Sequence, residues 1–181
     1  MKNTRSIAAR ARRIKMILLD VDGVLTDGGL YYTAEGHEFK RFHAHDGYGI
    51  ARGREAGILF GIISGRTTPI VDARAKVLHI EDVIQGADDK VAALRTIQDK
   101  YGFRDEEFAY IGDDLFDIGL LRTVGISGAP ANAFPAVKKE VDVVTTMQGG
   151  KGAVREFIDI ILAKRDGAVS SRGTRRKGKR S

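Results

Sequence analysis

Short apolar runs that end in polar or glycine-containing turns, each followed by a helical pattern, constrain this sequence more than any other feature. Residues 14–19 form the first run, ended by Asp20, and residues 58–63 the second, ended by Ser64-Gly65-Arg66. Residues 82–85 make a third, and residues 108–111 lead into Gly112-Asp113-Asp114. Val124-Gly125-Ile126 and residues 141–144 add two short strands. Between them lie helical patterns at 46–55, 69–77 and 88–101, where Val91, Leu94 and Ile97 share a face. Another runs on to Arg122, and a closing one covers 152–163. Runs this short and this apolar are strands covered on both faces. Alternation with helices predicts an α/β fold: a Rossmann-like parallel sheet with right-handed crossovers and helices on both faces. Residues 30–42, alternating around a turn at Gly36, read as a β-hairpin inserted after the first strand.

A chain of 181 residues with 43% hydrophobic and 30% charged residues has the makings of one well-buried domain. It has no cysteine, so disulfides and thiolate metal sites are excluded and a reducing cytoplasm is compatible. The basic start is followed by an apolar run that stops at Asp20, too soon for a signal peptide, and no run is long enough for a membrane span. A cytoplasmic protein is expected. The net charge of +6 is concentrated at the ends: residues 1–15 hold six Lys/Arg and no acid, and residues 164–181 hold eight Lys/Arg and one Asp. What lies between is acidic. The expected division is therefore a basic tail at 1–13, a domain at 14–163 and a basic, disordered tail at 164–181. The tails are either solvated ends or contacts for an acidic surface. Their lack of aromatic residues for base stacking points away from nucleic acid.

In an open parallel sheet the ligand site lies beyond the carboxyl ends of the strands. There the sequence sets Asp20 and Asp22, Ser64, Lys90 and Asp113. Any one of the Asp or Ser residues is also what a helix cap looks like. Together they meet the needs of phosphate-monoester hydrolysis: a nucleophile, a cation, donors to the phosphoryl oxygens and a proton for the leaving group. Asp20 is the candidate nucleophile. Asp20, Asp113 and the main-chain carbonyl of Asp22 offer the hard oxygen ligands that Mg²⁺ prefers. Ser64 and Lys90 can hold the phosphoryl oxygens. Asp22, two residues past Asp20, can protonate the leaving oxygen and afterwards activate water. Asp114 and Asp117 either orient Asp113 and the metal waters or cap the next helix.

Asp20-Val21-Asp22-Gly23-Val24-Leu25-Thr26-Asp27-Gly28, Ile63-Ser64-Gly65-Arg66, Gln85-Gly86 with Lys90, and Ala109 through Asp114 with Asp117 resemble the four motifs of haloacid dehalogenase phosphatases. More narrowly, residues 14–163 resemble the 3-deoxy-D-manno-octulosonate 8-phosphate (KDO 8-phosphate) phosphatases, through Asp46-Gly47-Tyr48-Gly49-Ile50 and the segment 149–156. The resemblance implies a capless, Mg²⁺-dependent enzyme acting on a sugar-acid phosphate through an aspartyl-phosphate. It also implies a homotetramer in which the hairpin packs against other subunits. Tyr31, Tyr32, Phe39 and Phe42 would give that interface its aromatic surface, unless they pack on their own domain. The substrate contacts it implies are Asp22, His43, Ala44, His45, Asp46, Gly47, Gly65, Arg66, Arg74 and Lys90. His45 stands where the family often has Arg, and Ala51 where it often has a basic residue, so a nine-carbon sialic-acid-type phosphate is a rival substrate. A non-catalytic oligomerisation module of the same fold is the alternative from another class, and the intact Asp20, Asp22, Ser64, Lys90 and Asp113 argue against it.

Overall fold

Residues 6–173 are described by a computed structural model of the protein. Six of its strands form one parallel sheet: β1 (Met16–Leu19), β4 (Leu59–Ile63), β5 (Asp82–Ile84), β6 (Phe108–Ile111), β7 (Ile126–Ala129) and β8 (Val143–Val144). The order across the sheet is β5-β4-β1-β6-β7-β8. The chain winds outward from β1 to β5, then returns to β6 on the other side of β1, which makes the gap between β1 and β6 the point where the winding reverses.

Both faces are covered, and this is why the strands read as unbroken apolar runs rather than alternating ones. Ile17 and Leu19 point to one side, where they meet Ile50 of α2 (Ala44–Glu55), Val71 of α3 (Pro69–Leu78) and Phe157 of α7 (Ala153–Gly173). Met16 and Leu18 point to the other, against Leu94 and Ile97 of α4 (Lys90–Tyr101) and Leu120 of α5 (Ile118–Thr123), in a cluster that also takes in Val137 of α6 (Pro135–Lys138). Helix α4 starts where it does because the Asp89 carboxylate accepts from the free N–H groups of Val91 and Ala92 at 2.8 and 3.1 Å. Among the described residues no helix is long and apolar enough to cross a membrane.

Several expectations change. The hairpin shrinks to β2 (Tyr31–Tyr32) and β3 (Glu38–Phe39), with Tyr31 opposite Phe39. Phe42 lies outside it and packs on its own domain's core, while Tyr32 and Phe39 stay exposed. The expected tail at 1–13 contains a helix, α1 (Ile7–Ala11), that packs on α7. Its Arg10 is buried, donating to both oxygens of Asp142 at 2.7 and 2.8 Å and to the Gly125 carbonyl at 2.9 Å. A paired, buried arginine ties those residues to the domain, so the boundary at 14 is too late. At the other end α7 continues past 163 to Gly173, so the expected tail at 164–181 begins as helix. Residues 1–5 and 174–181 of the expected tails lie outside the described residues.

Candidate active site

Leu19 of β1 stands in one row with Ile62 of β4 and Ile111 of β6. Asp20 therefore emerges one residue above that row, and Ser64 and Asp113 two residues above it, on the same rim and around the reversal point. The backbone adds precision: Asp20 N–H donates to the Ile111 carbonyl at 3.1 Å, and Ser64 N–H to that of Ile84 at 2.9 Å.

Past Asp20 the chain makes a tight turn, residues 21–25, in which Gly23 takes a φ of +83°. Only glycine fits there, because a Cβ would overlap the carboxylate of Asp113 in addition to straining the backbone. Asn132 clasps the turn from outside, donating to the Gly23 carbonyl at 3.2 Å and accepting from Gly149 N–H at 2.7 Å.

Asp20, Asp113 and Asp117 each present an oxygen within 4.8 Å of the other two. Lys90 answers them: its buried Nζ lies 3.0 Å from Asp20 Oδ1 and 2.6 Å from Asp117 Oδ1. Asp117 is already saturated. Its Oδ1 also accepts from the Tyr110 hydroxyl at 2.5 Å, and its Oδ2 from the N–H groups of Asp113 and Asp114 at 2.8 and 3.0 Å. It therefore stands behind the other two carboxylates and fixes the loop that carries Asp113. Asp114 is exposed and its Oδ1 accepts from Leu115 N–H at 2.7 Å, a cap on the short turn that follows.

Burial pushes the Asp20 carboxyl up to about 7, with Asp117 adding to the rise and Lys90 opposing it. Asp113 rises to about 7 for the same first reason, reinforced by Asp20, Asp117 and Asp114. Burial works against the Lys90 ammonium, yet Asp20 and Asp117 outweigh it and raise its pKa above the ordinary 10.5. Three carboxylates thus crowd around one lysine, and they are hard oxygen donors short of positive charge. Mg²⁺ suits such a donor set.

Asp22 faces the other way. One oxygen accepts from Lys40 of the hairpin foot, and the other is 3.9 Å from Arg66. Arg66 is in turn 3.0 Å from Glu38 and donates to the Tyr32 hydroxyl at 3.5 Å. The remaining residues implied by resemblance form a further group at the start of α2. His43 caps that helix, its Nδ1 accepting from His45 N–H at 3.2 Å, and its ring meets that of His45 edge-on at 4.8 Å. Arg74 donates to the His43 carbonyl at 3.5 Å and lies over the Phe42 ring. Gly47 leaves room for that guanidinium, while Ala44, His45 and Gly65 are exposed. Asp46 is 1% exposed and accepts from the Arg155 N–H at 2.9 Å, so one of its oxygens serves α7 rather than the open cleft. Ser64 is buried, and its Oγ accepts from Arg66 N–H at 3.3 Å.

Tyr110 and Lys40 escaped the sequence reading. Tyr110 sits in an apolar strand with nothing local to mark its hydroxyl. Lys40 had a faint signal: strand alternation puts it on the side of Glu38, away from Phe39.

A family profile described as haloacid dehalogenase-like hydrolase matches residues 78–158. The 3-deoxy-D-manno-octulosonate 8-phosphate phosphatase of Escherichia coli K12 is 40% identical over 156 residues, covering 86% of this chain and 83% of that protein. The Salmonella typhi phosphatase of the same name is also 40% identical over the same shares. Among solved structures, the Moraxella catarrhalis phosphatase in complex with magnesium, phosphate and KDO is 39% identical with a TM-score of 0.86, over 93% of this chain and 99% of that one. The Yersinia pestis phosphatase is 39% identical with a TM-score of 0.86, over 88% and 86%.

Proposed function

The chain belongs to the haloacid dehalogenase-like hydrolases, among the KDO 8-phosphate phosphatases, and from that membership we propose that it is a Mg²⁺-dependent phosphatase releasing KDO and inorganic phosphate from KDO 8-phosphate. The observation that carries this is its likeness, over nearly all of both chains, to a phosphatase that holds magnesium, phosphate and KDO.

Residue roles follow as our reading of the site. Asp20 attacks phosphorus, the bond to the sugar oxygen breaks, and the phosphoryl group rests on the Asp20 carboxylate. Asp22 gives its proton to the departing sugar oxygen. It then takes a proton from the water that attacks the aspartyl-phosphate, which frees phosphate and restores Asp20. Ser64 Oγ and Lys90 Nζ donate to the phosphoryl oxygens as charge spreads onto them. Asp20, Asp113 and the Asp22 carbonyl would hold Mg²⁺, which offsets the repulsion between the anionic nucleophile and the anionic phosphate. Asp117 keeps Asp113 and Lys90 in place, and Asp114 caps the turn beside them. Arg66, Arg74, His43 and His45, with the loop at 43–47 and Gly65, line the path for the sugar acid.

We read the protein further as a cytoplasmic homotetramer supplying KDO for lipopolysaccharide. The exposed Leu30, Tyr32 and Phe39 support assembly through the hairpin, and light scattering at four chain masses is the expected result. The function itself is tested by a phosphate-release screen across sugar phosphates, including the nine-carbon acid 9-phosphate, with Mg²⁺ and with a chelator. KDO 8-phosphate should give the highest kcat/KM, and chelation should abolish turnover reversibly. Full activity without divalent metal, or no activity on any sugar-acid phosphate, would contradict the proposal.

A further inference from the structure

Lys40 has no part in the reading above, yet its side chain is 1% exposed. Its Nζ donates to Asp22 Oδ1 and lies 3.4 Å from Glu38. An ammonium is costly to bury unless it is paired, so a lysine turned inward needs a reason. The hairpin supplies none: its strands are two residues each, Tyr31 stacks on Phe39 between them, and the Tyr31 hydroxyl already ties the hairpin to Asp27 at 2.7 Å. The reason lies at the other end of the contact. Asp20 and Asp22 each meet a buried lysine: Asp20 meets Lys90, which it shares with Asp117, and Asp22 meets Lys40, which it shares with Glu38. The first pair faces the carboxylate cluster and the second faces the hairpin. Asp22 is accordingly absent from the group of carboxylates that close around the cation position, although it is only two residues from Asp20.

We propose that Lys40 is a positioning residue for Asp22: it holds that carboxylate on the leaving-group side of the phosphate and keeps it from swinging into the cation cluster. The inference rests on Asp22 being the proton donor of the proposed reaction. A carboxylate released from Lys40 has two ways to go, toward solvent or toward the cation, and both take it from the departing oxygen. Loss of Lys40 should thus slow formation of the aspartyl-phosphate only where the leaving group needs a proton, whereas hydrolysis of that intermediate, which also uses Asp22, slows whatever the substrate. A sugar alkoxide needs one; p-nitrophenolate, a weak base, does not. A lysine that merely fastened the hairpin would affect both substrates alike, because Arg66 and Glu38 would shift with it.

The test uses the full chain with Mg²⁺, comparing KDO 8-phosphate with p-nitrophenyl phosphate. Lys40→Met should slow release of the sugar in the first turnover by about 30-fold or more, while first-turnover release of p-nitrophenolate slows by less than about threefold. The sugar-acid phosphate concentration that gives half the maximal first-turnover rate should stay within about threefold of wild type. Lys40→Arg, which keeps the charge and is the safer variant for folding, should retain most of the sugar-phosphate rate. Equal losses of first-turnover rate on the two substrates, wild-type first-turnover rates on both, or an arginine variant as impaired as the methionine one would overturn the inference. Asp22→Asn, read by the same first-turnover rates, separates this from the function itself. If it shows the substrate split and Lys40→Met does not, only the role of Lys40 fails; if Asp22→Asn loses neither substrate, the proton-donor role fails with it.

Discussion

Replacing Asp117 by Asn keeps the shape of the side chain and removes half of what it does. Four donors converge on its two oxygens: Lys90 Nζ and the Tyr110 hydroxyl on one, and the N–H groups of Asp113 and Asp114 on the other. Asparagine has one acceptor oxygen, so whichever way the amide turns, two donors face an NH₂ group. Each hydrogen bond to a charged group contributes about 1.5–3 kcal/mol. Lys90 retains Asp20 at 3.0 Å, which limits the loss, and a net destabilisation of about 3 kcal/mol is expected. In a chain this long that lowers the melting temperature by roughly 6–12 °C. Because the Asp113 loop hangs on the same oxygens, Mg²⁺ affinity should fall by about 10- to 100-fold. Thermal melts followed by circular dichroism, with calorimetric titration of Mg²⁺, read both effects. Tyr110→Phe removes one donor to Asp117 and the hydroxyl to which Lys90 donates at 3.1 Å, and should cost less, about 1–2 kcal/mol. If Asp117→Asn melted within about 2 °C of wild type and bound Mg²⁺ as tightly, the idea that this buried carboxylate organises the site would be wrong.

Gly23→Ala should cost activity and Mg²⁺ binding together, since the new methyl overlaps the Asp113 carboxylate. A fully active alanine variant would mean the turn at 21–25 is not held as described. Asp142 carries a pH signature. Burial opposes its charge, but the hydrogen bonds from Arg10 and Ser127 prevail and lower its pKa below the ordinary 3.8. A depressed carboxyl stabilises the fold above its unfolded value and loses that contribution as the pH falls through the folded one. Stability measured by urea unfolding should therefore fall in part through Asp142 below about pH 4, and Asp142→Asn should flatten that acid limb. The same variant should be about 3 kcal/mol less stable at pH 7, because Arg10 is left buried without its counter-charge. Equal stability at pH 7 would show that the N-terminal helix is not anchored by this pair.

The strands and the rim of acidic residues were legible in the sequence because their signals are local: an apolar run covered on both faces, then an acidic turn. What stayed hidden depends on partners far along the chain. Nothing near Arg10 announces Asp142, 132 residues away, so a helix packed on the domain read as a basic tail. Strand β7 was expected at Val124 to Ile126 and lies at Ile126–Ala129, where Ser127, Gly128 and Ala129 look like a loop. Their smallness is a packing requirement, as a Cβ on Gly128 would run into the Phe157 ring. Asp46 read as a substrate contact by position, while one of its oxygens accepts from the backbone of α7, across more than a hundred residues of chain. Lys40 was missed for the same reason: its partner is Asp22, and alternation in a hairpin does not say which wall of a cleft the hairpin covers.

The proposed reaction requires Asp20 to be the group that takes the phosphoryl. Wild-type enzyme mixed with KDO 8-phosphate and Mg²⁺, quenched in acid within the first turnover and digested for mass spectrometry, should carry a phosphoryl adduct on the peptide containing Asp20. Asp20→Asn should fold normally, carry no adduct and release no phosphate. Turnover by the asparagine variant at the wild-type rate, or an adduct on a different residue, would contradict it.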